Sequence, residues 1–360
     1  MIPAAPIRVL LVDDSLFVRK AFARVLADEE GIEVVGEAGD GEEALARCQA
    51  LKPNVVLLDL GMPVLDGLSC LKRLRRELPG VAVVVVSAAA QRGAQLGLEA
   101  LEAGAFDLID KASVPLMQVH ELGTQLASRI RAAAVRRHAS GLPMLLPSRS
   151  YPAPEVVVMA ASTGGPLALL ALLARLPASF PAPVALVQHI ADGFVEALAS
   201  RLGQVCPLKV LSPATRQELV PGCVYLPHGG RDFALTRRAP GSPLVLQPRL
   251  PRPGSPHVPS ADTLFETAAA SAGARAWGVL LTGMGADGAR GLLAIARRGG
   301  LTVAQDESTS AVWGMPRAAV ELGAARAVLP LHEIPAFLTQ SIAVGGAACT
   351  PGAPAQPEEA

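Results

Sequence analysis

The sequence predicts an α/β protein with two doubly wound sheets, one in each half of the chain. Short apolar runs alternate with stretches of helical periodicity over 7–137, and the same alternation returns over 155–342. Runs such as VVLL at 55–58 and VAVVVV at 81–86 have no polar interruption, which is typical of parallel strands covered by helices on both faces. The length of 360 residues, at about 150 residues per domain, favours two domains.

The first half of the chain contains five strand–helix units. The β-branched runs that predict its strands lie at 8–12, 32–37, 54–58, 81–86 and 106–109. These units predict an N-terminal (βα)5 domain over residues 1–137. The Pro- and Ser-rich segment 138–154 is predicted to be an interdomain linker.

The second half predicts a mostly parallel sheet over residues 155–343. Its strands are expected at 156–160, 185–188, 277–282 and 302–305, with helices that include 167–175 and 194–202. Prolines and glycines multiply between 207 and 259, where the short strands VYL, DFALT and LVLQ predict an antiparallel hairpin inserted in the sheet. The Gly-, Ala- and Pro-rich segment 344–360 is expected to be a disordered tail.

The composition excludes several classes of protein. Thirty-two basic residues cancel 32 acidic residues, so the chain has no overall attraction to nucleic acid or to an anionic membrane. No apolar run approaches the roughly 20 residues that a membrane helix needs, so membrane insertion is not expected. The five cysteines are scattered and form no C-x-x-C pair, which argues against a disulfide framework and favours a cytoplasmic location.

Polar side chains follow four of the five predicted N-terminal strands. They are Asp13 and Asp14 after the first strand, Asp59 after the third, Ser87 after the fourth and Lys111 after the fifth. Ligands of doubly wound sheets bind beyond these strand ends. Three carboxylates at one edge repel each other unless a cation joins them, and oxygen ligands suit Mg²⁺. One carboxylate could then accept a phosphoryl group, with the lysine and the hydroxyl steadying its oxygens.

The segments LLVDDS, LLDLGMPVLDG, VVVVSAAA and FDLIDK resemble the receiver domain of bacterial response regulators. The resemblance implies that Asp59 is the phosphorylated residue and that Ser87 and Lys111 are switch residues. It also implies a Mg²⁺ site, whose ligands are Asp13, Asp14, Asp59 and the backbone carbonyl of Gly61.

Three positions depart from the receiver pattern. Gly61 stands where a longer side chain is common, Leu108 where an aromatic switch residue is common, and Ala112 where proline usually follows the lysine. These changes leave the phosphorylation chemistry intact. They concern how phosphorylation alters the surface of the domain and so reaches the rest of the protein.

Three polar residues also follow predicted strands in the second half. EVVVMAASTGGP places Ser162 directly after a buried strand and before two glycines and a helix, a turn that exposes the hydroxyl near helix N–H groups. A phosphate-binding glycine turn is the alternative, but the G-x-G-x-x-G spacing with an acid about 20 residues later is missing. LVQHI ends in His189, and the glycine-rich VLLTGMGADGARG contains Asp287.

A serine, a histidine and an aspartate at strand ends of one sheet supply a nucleophile, a base and a carboxylate that orients the base. Their order along the chain and the absence of G-x-S-x-G argue against the α/β-hydrolases.

Together with HVPSADTLFETAA and AQDESTSAVWGMPRAAVELGAA, these segments resemble the catalytic domain of the CheB methylesterase family, in which a receiver precedes such a domain. The resemblance implies hydrolysis of glutamate methyl esters on chemoreceptors, often with deamidation of receptor glutamines, and no cofactor for the hydrolysis. It implies that Ser162, His189 and Asp287 are the catalytic residues. It also implies that the N–H of Met284 stabilises the oxyanion and that Thr163 helps to position the histidine. His257, Ser260 and Asp262 match a family segment that supports or borders the site.

The same resemblance implies control by phosphorylation. An unphosphorylated receiver would cover the esterase cleft, and a histidine kinase of the CheA type would phosphorylate Asp59 and loosen it. Relatives carry Met-Pro where this chain has Ile190 and Ala191, proline in place of His228 and arginine in place of Val258. These departures concern substrate docking.

Two other functions remain open from the sequence. One is a receiver-controlled esterase or amidase that acts on a different protein, and the other is a non-catalytic phosphoryl-accepting docking protein, which the intact serine, histidine and aspartate disfavour. A transcriptional regulator is disfavoured because the second domain is large, near neutral and lacks a helix-turn-helix pattern.

Overall fold

A computed structural model describes residues 5–88, 91–111, 119–134, 151–252 and 257–347. Its N-terminal sheet has five parallel strands in the order β2-β1-β3-β4-β5. They are β1 (Ile7–Val12), β2 (Ile32–Ala38), β3 (Val55–Asp59), β4 (Ala82–Ser87) and β5 (Asp107–Asp110). The helices that follow them are α1 (Leu16–Ala27), α2 (Gly41–Leu51), α3 (Gly67–Glu77), α4 (Gln91–Glu102) and α5 (Val119–Ala134). The predicted (βα)5 fold is confirmed.

Alternating strand residues of this sheet are buried against helices on opposite faces. Leu10 and Leu58 belong to one apolar cluster, and Val9 and Leu57 belong to another. Side-chain caps begin three of the helices where the chain leaves the sheet: Ser15, Asp40 and Asp66 each accept a hydrogen bond from a backbone N–H of the first turn. Uninterrupted apolar strands therefore produce a sheet covered on both sides.

The second sheet has seven parallel strands in the order β15-β14-β13-β6-β7-β10-β8. They are β6 (Val156–Ala161), β7 (Val184–Gln188), β8 (Lys209–Leu211), β10 (Cys223–Tyr225), β13 (Ala276–Leu280), β14 (Thr302–Gln305) and β15 (Ala327–Leu329). Its helices are α6 (Gly165–Leu173), α7 (Val195–Val205), α8 (Ala261–Ala272), α9 (Ala289–Arg297), α10 (Met315–Glu321) and α11 (Ile334–Ala347). The second predicted α/β sheet is confirmed.

The Pro- and Gly-rich middle region forms a small antiparallel sheet of three strands, β9 (Gln217–Glu218), β11 (Asp232–Thr236) and β12 (Val245–Arg249). The antiparallel hairpin is β11–β12, as predicted, but it pairs with β9 in a sheet of its own. The VYL run lies elsewhere, because β10 is a parallel strand between β7 and β8. Its residues are fully buried, as an interior strand of a covered sheet requires.

The chain ends do not follow the sequence prediction in every detail. Helix α11 continues to Ala347, so the tail predicted from 344 is wrong for its first four residues, because an established helix extends at little free-energy cost. Residues 348–360, most of the predicted linker and Ala112 lie outside the described residues.

The two sheets are joined by direct packing of their helices. Helix α4 packs against α6 and α7, and one apolar cluster extends from the N-terminal sheet into the C-terminal domain. At its centre, a Cβ added to Gly97 would lie 2.8 Å from Leu108 and 3.1 Å from Phe194 of the second domain. Glu102 of α4 and Arg201 of α7 form a two-bond ion pair at the edge, at 2.6 and 2.9 Å. Among the described residues, no helix is long and apolar enough to cross a membrane.

Candidate active site

Carboxylates and a lysine meet at the carboxyl edge of the N-terminal sheet. Asp13 and Asp59 are buried, Asp14 is exposed, and one carboxylate oxygen from each lies within 4.8 Å of the others. The Nζ of Lys111 lies 2.7 Å from Asp13 and 3.0 Å from Asp59. The structure therefore brings together four of the residues predicted at this edge.

The charges at this edge suit a divalent cation. Burial raises the pKa of Asp13, even though hydrogen bonds from Lys111 and from the N–H of Ser15 lower it. Burial by itself lowers the pKa of Lys111, but its hydrogen bonds to Asp13 and Asp59 raise it above its ordinary value. One ammonium cannot neutralise three carboxylates, and the excess of oxygen ligands fits Mg²⁺.

The other two residues predicted for this edge lie beside the carboxylates. A Cβ added to Gly61 would lie 3.8 Å from the Asp59 carboxylate, so Gly61 lies close to the predicted metal site. Ser87 is buried at the end of β4, next to β3, and its hydroxyl donates to the carbonyl of Gly93 at 3.4 Å. Leu108 packs instead at the contact with the second domain.

Ser162 lies in the turn between β6 and α6. Its N–H donates to the carbonyl of Thr282 at 2.9 Å, and its own carbonyl accepts from the N–H of Gly165 at 2.8 Å. Gly164 has φ +74°, a conformation that an L side chain disfavours, which explains the first glycine of the STGG motif. The tight turn leaves Ser162 facing a cavity.

His189 and Asp287 lie beside this turn. Strands β6 and β7 pair in parallel up to Ala161 and Gln188, so the next residues, Ser162 and His189, leave the sheet together. The Nε2 of His189 lies 2.9 Å from the Asp287 carboxylate. Its Nδ1 is buried without a hydrogen-bond partner, and the described residues show no hydrogen bond between it and Ser162. Nδ1 is therefore the nitrogen left for the serine.

The Asp287 carboxylate lies at the N-terminus of α8. It accepts hydrogen bonds from the hydroxyl of Ser260 at 3.1 Å and from the N–H groups of Ala261 and Asp262 at 2.7 and 3.0 Å. Burial raises the pKa of Asp287, but the hydrogen bonds from His189 and from these N–H groups together lower it to about 2. Asp287 is thus held as an anion.

The side chain of Asp262 helps to fix the start of α8, which holds the Asp287 carboxylate. It accepts hydrogen bonds from the N–H of Gly291 and the guanidinium of Arg290. The H-x-P-S-x-D segment is thus a hydrogen-bonded support for the aspartate. Sequence reasoning left this role undecided, and it missed Asp232, which accepts from the N–H of Ser260 at 2.8 Å.

His257 stacks on His189, with ring centroids 4.4 Å apart and planes 11° apart. Burial lowers the pKa of His257, and the neighbouring imidazole of His189 lowers it further. A neutral second ring can pack against the histidine without charge repulsion.

Thr163 and Met284 contact the N-terminal domain. The hydroxyl of Thr163 donates to Asp107 of β5 at 3.1 Å, and Arg129 donates to the same carboxylate oxygen at 3.1 Å. The hydroxyl of Thr163 thus donates to the N-terminal domain, and its help in positioning the histidine stays a prediction. The Met284 sulfur accepts a hydrogen bond from the hydroxyl of Ser128 at 2.6 Å. Nothing in the sequence pattern pointed to Asp107.

A cavity of about 550 Å³ lies between the domains at this point. Ser162, His189, His257 and Met284 line it from one side; Asp107, Leu108, Ser128 and Arg129 line it from the other. The N-terminal domain therefore faces the serine and the histidine across this cavity.

Most of the residues that depart from the family pattern in this domain border the cavity. Ile190, Ala191 and Val258 line it. His228 lies between Asp192 and Glu196, with its ring nitrogens 3.2 and 2.8 Å from their carboxylates. The imidazole thus links the loop after β10 to the start of α7.

Comparison with known proteins identifies the family. Residues 157–338 match CheB methylesterase, and residues 9–120 match the response regulator receiver domain. A protein-glutamate methylesterase/protein-glutamine glutaminase of Myxococcus xanthus is 42% identical over 358 residues, covering 95% of this chain and 100% of that protein. The chain belongs to the CheB methylesterase family.

Two further matches agree with this assignment. A protein of the same name from Anaeromyxobacter dehalogenans is 45% identical over 341 residues, covering 93% of this chain and 97% of that protein. The crystal structure of the Thermotoga maritima CheB methylesterase catalytic domain is similar, with 34% identity and a TM-score of 0.50, and covers 52% of this chain and 98% of that one. The chain therefore combines a receiver domain with an esterase domain of this family.

Proposed function

We propose that this protein hydrolyses γ-methyl esters of glutamate side chains on chemoreceptors, and deamidates receptor glutamines, with Ser162 as its nucleophile. The observation that carries the proposal is that Ser162 and His189 line one cavity and that His189 is hydrogen-bonded to the anionic Asp287. The names of the relatives support the substrate class. The output would be adaptation in a chemosensory pathway.

In the first half of the reaction, Ser162 Oγ bonds to the γ-carbonyl carbon while its proton passes to Nδ1 of His189. Asp287 stabilises the imidazolium through Nε2. The carbonyl oxygen gains the negative charge. We propose that the backbone N–H of Met284 donates a hydrogen bond to this oxygen and stabilises the charge. The C–O bond to the methoxy group then breaks, and His189 returns the proton to the departing methanol, or to ammonia when the substrate is a glutamine.

In the second half, water attacks the acyl-serine and gives its proton to His189. The bond between the carbonyl carbon and Ser162 Oγ breaks, and His189 returns the proton to the serine. The product is the free glutamate carboxylate. No step needs a metal or other cofactor in the esterase domain.

We propose that the receiver, over residues 1–137, controls access to the esterase domain, which begins at 155. Asp59 would take a phosphoryl group from a histidine kinase of the CheA type. Asp13, Asp14, Asp59 and the carbonyl of Gly61 would hold Mg²⁺, which offsets the charge of the incoming phosphoryl group. The contacts of Asp107 with Thr163 and of Ser128 with Met284 support a covered resting state.

The proposed nucleophile is tested with full-length protein, a methylated chemoreceptor cytoplasmic fragment, a small phosphodonor and Mg²⁺. Ser162→Ala should reduce methanol release by roughly 10³-fold or more. Ser179→Ala, which changes an exposed serine in the loop after α6, should retain the wild-type rate. A serine-directed fluorophosphonate should label the wild type at Ser162, as mass spectrometry of its peptides would show.

Methanol release by Ser162→Ala at a rate close to that of the wild type would exclude Ser162 as the nucleophile. If the folded wild type is labelled at Ser162 but releases no methanol, the proposed substrate is wrong. The protein would then be an esterase of another specificity.

A further inference from the structure

A buried carboxamide lies between the turn that carries Ser162 and the strand that leads to His189. Gln188 is the last residue of β7 and is 3% exposed. Its Nε2 donates to the carbonyl of Ser162 at 2.9 Å and to the carbonyl of His189 at 3.2 Å. One NH₂ group, which carries two donor hydrogens, thus binds the backbone of both residues.

We infer that Gln188 is a positioning residue that sets the distance between the nucleophile and its base. The inference rests on the proposed roles of Ser162 and His189. The last ladder hydrogen bond between β6 and β7 runs from the N–H of His189 to the carbonyl of Ala161. Beyond that point the two chain segments leave the sheet, and the Gln188 carboxamide links them.

The surroundings of Gln188 determine which way its amide faces. In the opposite orientation, Oε1 would face two carbonyl oxygens and repel both. In the observed orientation, Oε1 has no hydrogen-bond partner among the described residues and lies against Gly165. A buried acceptor without a donor is unfavourable, so any favourable contribution of this carboxamide comes from the groups that its NH₂ binds.

The STGG turn is shaped around this side chain. A Cβ added to Gly165 would lie 2.1 Å from Oε1 of Gln188 and 2.8 Å from the Cβ of Ala161. The second glycine of the motif therefore lets the turn close on the carboxamide. The carbonyl of Ser162 accepts hydrogen bonds from both the Gln188 carboxamide and the N–H of Gly165. Movement of Gln188 would therefore shift the backbone of Ser162.

The test compares the full-length wild type with Gln188→Met, which keeps the length of the side chain and removes both donors. We expect kcat for methanol release from the receptor fragment to fall about 10- to 100-fold with KM within about twofold, because a small misplacement of reacting groups lowers the rate of the chemical step. The rate constant for fluorophosphonate labelling of Ser162 should fall in parallel.

Thr302→Val is the matched control. Thr302 is also buried and makes two hydrogen bonds, to the carbonyl of Ala324 and from the N–H of Arg326, but it lies at the amino end of β14, away from the cavity. It should lower the melting temperature about as much as Gln188→Met while leaving kcat and the labelling rate near wild type. A merely structural role for Gln188 predicts the same result for both variants.

Gln188→Glu retains the shape of the side chain but replaces its NH₂ group with an oxygen. It is the second variant, and we expect it to be slow in both assays. A third measurement uses the wild type alone: NMR should show slow hydrogen exchange of the Gln188 side-chain NH₂. Wild-type kcat and labelling in either folded variant, or fast exchange of this group, would overturn the inference. If Ser162→Ala remains active, the proposed function fails instead.

Discussion

Asp287 has two kinds of partner, the imidazole of His189 and the first turn of α8. The hydrogen bonds from α8 fix the carboxylate before any substrate arrives. Together with the hydrogen bond and charge of His189, they hold its pKa at about 2 despite burial. The histidine therefore faces a preformed anion, which is the condition for stabilising the imidazolium that forms during the reaction.

Asp287 should make the stability of the wild type depend on pH, and Asp287→Asn should remove that contribution. A carboxyl whose pKa is lower in the folded chain than its ordinary 3.8 stabilises the fold above that pH and loses the effect as the pH falls toward 2. Asp287→Asn should thus lower the free energy of unfolding by about 2 kcal/mol at pH 7. Denaturant titrations should show this difference narrowing between pH 4 and pH 2; a constant difference would contradict it.

At the scale of elements, the candidate site depends on the turn between β6 and α6. Parallel pairing of β6 with β7 and with β13 places three chain segments side by side at one edge of the sheet. The glycines after Ser162 allow the turn to close: Gly164 supplies the positive φ, and Gly165 leaves room for Gln188.

Gly165→Ala tests the close packing of this turn. Alanine is the better helix former at the start of α6, so helix propensity alone predicts a gain in stability. We expect a loss of about 1 to 3 kcal/mol from overpacking, together with slower methanol release. The same change at Gly203 in α7, where a Cβ would meet only Val210 at 3.9 Å, should be neutral or stabilising. Chemical denaturation of both variants gives their free energies of unfolding. Equal stabilisation by the two substitutions would contradict the expected overpacking at Gly165.

At the scale of the whole molecule, the receiver contacts the esterase domain through α4, β5 and α5. An apolar centre around Leu108 and Phe194 is bordered by the Glu102–Arg201 ion pair and by the Asp107–Thr163 hydrogen bond. Asp107, which contacts Thr163, is the first residue of the short strand β5, and Lys111, which contacts Asp59, directly follows its last residue. We propose β5 as the shortest path between the phosphorylation site and the esterase site.

Reversal of the charge at the edge of this interface should loosen the receiver without altering the active site. Glu102→Arg or Arg201→Glu alone puts like charges in contact, and we expect either change to raise the unstimulated esterase rate roughly fivefold. The double reversal should restore the wild-type rate. A phosphodonor with Mg²⁺ should raise the wild-type rate and reduce the difference between the variants. Single variants with an unchanged unstimulated rate would contradict a covering role for the receiver.

Local patterns of the sequence were enough to predict much of this protein. Apolar runs and turn residues predict the two α/β sheets because burial on both faces and chain reversal leave a signature in neighbouring residues. The same local logic placed Asp59, Lys111, Ser162 and His189 at strand ends, since polar residues that follow buried strands lie at the edge of a sheet where ligands bind.

Only the tertiary structure decided how those residues are held. The cradle of Asp287 by α8, the hydroxyl of Thr163 on Asp107 and the carboxamide of Gln188 between Ser162 and His189 all join residues that are distant in the chain or separated by a turn. Such contacts depend on which helix packs on which strand and on the orientation of single side chains. Periodicity contains neither kind of information. The sequence by itself therefore determined the chemistry available at each edge, and the packing of helices and strands within and between the domains determined which of these groups meet.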